Sequence, residues 1–97
     1  MNETEFKASA LDLLKASLGY KSSVRDNLLT IIISGVIDEL REEKGITLDF
    51  DNSAHLMLVV DLSAFRYESK GGGMMPRNLE YRLRNLIIKC GGGTQIV

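Results

Sequence analysis

Apolar residues recur at helical spacing in four runs along this chain, and polar or glycine-rich breaks divide them. In the first run Phe6, Ala10, Leu13, Leu14 and Leu18 fall three or four residues apart, which predicts a helix from Glu3 to Leu18. Asn2 and Glu5 supply a cap at its start, and Gly19 supplies a stop. A second start signal stands at Ser22 and Ser23, with Asp26 in the first turn, followed by Leu28, Leu29, Ile32, Ile33, Val36, Ile37 and Leu40. The β-branched stretch 30–33 suits a strand as well, but the charges that continue to Lys44 carry the pattern past strand length. A long helix ending near Lys44, with Gly45 outside it, is the expectation.

Residues 46–52 read as a connector in which Asp49, Asp51 and Asn52 each can cap the next helix. The third run, Ser53 to about Ser69, is apolar around most of its circumference, so it belongs at the centre of the body. Leu56, Val59, Val60 and Phe65 are its expected core residues. Lys70 to Met75 holds three consecutive glycines and reads as a flexible loop. Pro76 then opens a last helix to about Cys90, with Leu79, Leu83, Leu86 and Ile87 along one stripe. The fold class predicted is all-α: a small bundle of about four helices in one domain, 1–90, with a glycine-rich loop and a flexible C-terminal tail, 91–97.

Composition narrows the function classes. At 97 residues there is room for one core, and 44% apolar with 26% charged residues is a globular profile. Twelve basic against 13 acidic residues leave a net charge of −1, so nucleic-acid or lipid binding needs a local patch. A lone cysteine, Cys90, makes no internal disulfide, and a reducing compartment is expected. No apolar run reaches membrane-spanning length, and the acidic start lacks a leader-like core, so neither a membrane nor export is expected.

Chemistry-bearing residues are sparse. His55 has no second histidine or thiol near it in sequence to build a metal set, and Cys90 has no neighbouring base. The glycine triplets at 71–73 and 91–93 lack the Lys-Ser/Thr of a phosphate loop. No catalytic residue, metal site or cofactor is expected, and an enzyme is the least favoured class. Asp61 and Arg66 are more informative, being charges inside an apolar helix. Either each reaches a neighbouring helix or the rim of the body, or one of them pairs across a subunit boundary.

The charge layout is the clearest functional cue. Residues 38–51 carry six acids and two bases, net −4, whereas residues 74–90 carry four bases and one acid, net +3. Acidic and basic ends on opposite flanks let copies associate head to tail. The candidate subunit interface is therefore Glu39, Glu42 and Glu43 against Arg77, Arg82 and Arg84. The candidate partner-docking elements are the loop Gly71, Gly72, Gly73, Met74 and Met75, and the tail with Ile96 and Val97, which suits strand addition to a neighbour's sheet edge.

Taken in order, the pieces show a likeness. They are the Leu-rich opening helix closing on Leu18-Gly19, the Asp26-Asn27-Leu28-Leu29 start, the Ala64-Phe65-Arg66-Tyr67-Glu68 passage, and Met75-Pro76 leading to Leu79, Leu83 and Leu86. Over about residues 3 to 90 the chain resembles the small helical head-tail connector proteins of tailed bacteriophages, also called head-completion or adaptor proteins. That resemblance implies a helical subunit in a ring homo-oligomer, commonly dodecameric, beneath the portal protein. The ring extends the DNA channel, lets DNA pass without reading its sequence, and docks the next neck or tail completion protein. It also implies a place in the virion neck, reached from the bacterial host cytoplasm during assembly. The competing class is a small helical DNA-binding regulator that uses the basic helix 76–90 for recognition.

Overall fold

The computed structural model describes residues 1–69 and 73–90, Cys90 through its backbone only. Four helices follow one another: α1 (Glu3–Leu18), α2 (Asp26–Asp38), α3 (Ser53–Ser69) and α4 (Arg77–Cys90). No strand occurs among the described residues, so the all-α class holds. The expected loop glycines Gly71 and Gly72 and the tail with Ile96 and Val97 lie outside the described residues.

Local chemistry sets the ends of α1. The Asn2 Oδ1 accepts from the Glu5 N–H at 2.8 Å, and Glu5 Oε1 accepts from the Asn2 N–H at 3.0 Å, so two helix-start donors are satisfied reciprocally. At the other end Gly19 stands at φ +80°, where a side chain is strained, and the Tyr20 N–H returns to the Lys15 carbonyl at 2.9 Å.

The start of α2 differs from the expected serine cap. Its first residue is Asp26, Ser23 contributes only its backbone carbonyl at 3.1 Å, and Arg25 in the cap position makes no side-chain capping bond. Tertiary attractions decide this instead: Lys15 of α1 draws the Asp26 carboxylate to 2.9 Å, and the Arg25 guanidinium lies 4.2 Å above the Tyr20 ring. Nor does α2 continue as an α-helix to Lys44. Glu39–Glu43 form a wider π turn, with the Lys44 N–H on the Glu39 carbonyl at 3.2 Å and the Ile46 N–H on Leu40 at 2.9 Å. Gly45, at φ +66°, completes the reversal.

That turn redirects the chain into the core. The connector 46–52 alternates, burying Ile46 and Leu48 and half-burying Phe50 while Thr47, Asp49 and Asp51 face out. It is therefore a third wall of the core, a role its short length concealed. Of the three candidate caps, Asn52 serves: its Oδ1 accepts from the N–H groups of Ala54 at 2.8 Å and His55 at 3.3 Å. Asp49 makes a local turn to the Asp51 N–H at 2.9 Å.

α3 packs against α1, α2 and α4, whereas α4 touches α3 alone among the helices. The central position expected of α3 holds, with Leu58, Val59, Val60, Leu62 and Ser63 buried. Leu56 and Phe65, expected at the centre, are only half-buried and pack against the edge of the core instead. Ser63 is fully buried and its hydroxyl has no hydrogen-bond partner among the described residues. Ser63→Ala removes that cost and improves helix propensity, so it is expected to stabilise the fold by about 1 kcal/mol. Chemical denaturation checks this, and a loss of stability would reveal a partner for the hydroxyl.

Candidate functional site

Two of the six candidate interface charges are committed within the chain. Glu39 leaves the first residue of the π turn and pairs with Arg66 of α3, and Arg82 of α4 donates to Asp61 of α3 at 2.8 Å. Asp61 and Arg66 therefore each reach a neighbouring element. The four remaining charges, Glu42, Glu43, Arg77 and Arg84, are exposed and carry no ion pair among the described residues. Arg82 anchors α4 to α3, so reversing it tests the fold as much as any interface.

The acidic end has its own order. Arg41 binds both carboxylate oxygens of Glu3 at 2.9 and 3.1 Å and reaches Asp38 at 3.2 Å, tying the π turn to the start of α1. Hydrogen bonding from Arg41, then from Lys7, holds the Glu3 carboxyl well below its ordinary 4.5, at about 2. A carboxyl depressed by folding contributes stability above its unfolded value and loses it as pH falls from 4.5 toward about 2. Because Glu3 is a third exposed, the contribution is below about 1 kcal/mol. The melting temperature of Glu3→Gln is thus expected to lie slightly under the parent's near neutrality and to close on it as pH falls through about 2. A gap that persists in acid would assign the effect to something other than this ion pair.

On α4 the basic residues share a face with apolar ones. Arg77, Tyr81, Arg84 and Ile88 fall at steps of four, three and four and are all exposed, opposite the buried Leu79 and Leu86. Tyr81 and Ile88 were not among the expected site residues. The buried stripe dominates the sequence pattern of this helix, although the second stripe shows in the same spacing. A matching pair lies on α2, where Leu28, one of the apolar residues at helical spacing, is 51% exposed, with Ile31 beside it at 68%. The loop candidates divide: Met74 is 92% exposed, Met75 packs half-buried against the core, and Gly73 stands at φ +83°.

Near α4, Asn52, His55, Arg82, Asn85 and Lys89 line an open cleft of about 300 Å³ with no acid in its wall. His55 Nδ1 accepts the Asp49 N–H at 2.9 Å, so this buried histidine organises the turn before α3. At the far end of α3 the Tyr20 and Tyr67 hydroxyls meet at 3.0 Å with their rings edge to face, which pushes the Tyr20 phenol above its ordinary value. Among the described residues no group of three His, Cys, Asp or Glu is arranged to hold a metal, and no helix is long and apolar enough to cross a membrane. Compared with known proteins, the chain matches no family model, no curated protein and no solved structure.

Proposed function

We propose that this chain is a structural subunit of the head-tail connector type. In this reading copies associate into a ring beneath a phage portal, extend the DNA channel and dock a neck or tail completion protein. The observation that carries it is the outward face of α4, a helix that packs on α3 alone among the described helices, on which arginines alternate with Tyr81 and Ile88. Exposed aromatic and arginine side chains on one face are what protein interfaces select. The acidic π turn at the other end of the molecule's charge pattern supplies the complementary surface. The likeness of residues 3 to 90 to connector proteins is the reason for proposing this assembly rather than another.

Electron microscopy of the purified chain mixed with portal rings tests the reading. An added ring of density on the portal is expected. Arg77→Glu with Arg84→Glu is expected to reduce that density with helix content unchanged, and the deficit narrows as salt rises and screens the charges. Absence of portal binding, together with a salt-sensitive shift of duplex DNA, would overturn the connector reading in favour of a DNA-binding regulator.

A further inference from the structure

We infer that the outer face of α4 is built to cover the outer face of α2 on a second copy of the chain, with the two helices antiparallel. The inference rests on the self-assembling reading above and adds the surfaces and their register. On α2 the exposed stripe is Leu28, Ile31, Gly35 and Asp38. Beyond it Glu42 lies about one π turn after Asp38, so the stripe runs from apolar to acidic. On α4 the stripe is Arg77, Tyr81, Arg84 and Ile88, with Tyr81 64% and Ile88 70% exposed.

Laid antiparallel, the stripes match position by position. Residues 28 to 38 span ~15 Å and residues 77 to 88 span ~17 Å at the helical rise. Ile88 then meets Leu28, the aliphatic stem of Arg84 lies along Ile31, Tyr81 faces Gly35, and Arg77 reaches Glu42, next to Asp38, which Arg41 holds within its own chain. Gly35 is the position that takes a ring: a Cβ built there meets nothing within 4 Å, so the helix surface is flat and open at that point. The acidic end of α2 is also its C-terminal end, and Arg77 opens α4, so the two helix dipoles are complementary in this orientation and opposed in the parallel one.

A second copy is the occupant that both stripes accept. Within one chain α2 and α4 do not touch, so α4 does not cover α2 on its own molecule. Glu42 and Glu43, which carry no ion pair among the described residues, repel phosphate and anionic lipid from this end of the α2 stripe, while they attract the α4 stripe. The two faces differ, so the contact is heterologous: each copy offers one face forward and one back, and the series closes into a ring where the rotation allows.

Disulfide trapping tests the register. In a Cys90→Ser background, Leu28→Cys protein is mixed with Ile88→Cys protein at the highest soluble concentration and oxidised, with Ser17→Cys replacing Leu28→Cys as the control on exposed α1. All three introduced cysteines are at exposed positions, and circular dichroism verifies that each variant keeps its helices. The 28–88 heterodimer is expected at roughly ten times the control yield. Adding Arg77→Glu to the Ile88→Cys protein is expected to lower the yield about fivefold, and Glu42→Arg on its partner is expected to restore it. A 28–88 yield equal to the control overturns the inference. Portal binding alongside that result leaves the connector reading standing, whereas strong trapping without portal binding keeps this interface and removes the connector.

Discussion

Val60→Asp is expected to abolish the cooperative thermal unfolding of this protein at neutral pH. Val60 is 1% exposed on α3, the one helix that packs on α1, α2 and α4. An aspartate there either strands a carboxylate in an apolar core or forces the helices apart to reach water. Burying a charge without a partner costs several kcal/mol, and a small domain has only about 5 to 15 kcal/mol in total. The variant is therefore expected to lose about 4 kcal/mol or more, seen as a flat or greatly lowered melt by far-ultraviolet circular dichroism. Met57→Asp on the same helix is the matched control. Met57 is exposed, so its change should fall within about 1 kcal/mol of the parent. Equal melting of the two variants would remove α3 from the centre of the fold.

The second large effect is expected at Phe6. Its ring is fully buried in the first turn of α1, with the Phe50 ring 5.0 Å away and tilted by 50°. It thereby joins α1 to the connector that the π turn steers inward. Truncation to alanine removes that aromatic pair and leaves a cavity between α1 and the connector. A loss of about 3 to 5 kcal/mol is expected, which in a domain of this size lowers the melting temperature by about 15 to 30 °C. Leu13→Ala, on the exposed side of α1, should cost less than about 1 kcal/mol. If Phe6→Ala melts with Leu13→Ala, the connector 46–52 is not part of the core.

The site was less legible than the fold. Glu42, Glu43, Arg77 and Arg84 stand exposed as their polarity requires, and nothing more than sequence was needed to place them on helix surfaces. Glu39 and Arg82 looked equivalent to them in sequence. Yet Glu39 is taken up by Arg66, 27 residues away, and Arg82 by Asp61, 21 residues away. Those distances along the chain mean that only the crossing of α3 with its neighbours selects which charge is spent. Leu28 and Ile31 show the opposite case: they are apolar yet exposed, because burial needs a facing element, and α4 docks on α3 instead of on α2.

What the sequence determined by itself is what is decided within about one helical turn. Asn2 and Glu5 close α1 at its start, Gly19 closes it at its end, Asn52 starts α3, and the three- and four-residue spacing of leucine, isoleucine and valine makes four helices. Those interactions have short loops and small entropic cost, so local residues suffice to choose them. The tertiary structure alone decided where α2 begins, since Lys15 and Tyr20 hold Asp26 and Arg25 from another helix end. It also decided that the helix widens at Glu39–Glu43, between Leu40 and Ile46, both of which the fold buries. The outward face of α4 belongs to the same class. Its residues are written in the sequence, but which side of an amphipathic helix is left to meet another molecule is settled by the helix it packs against.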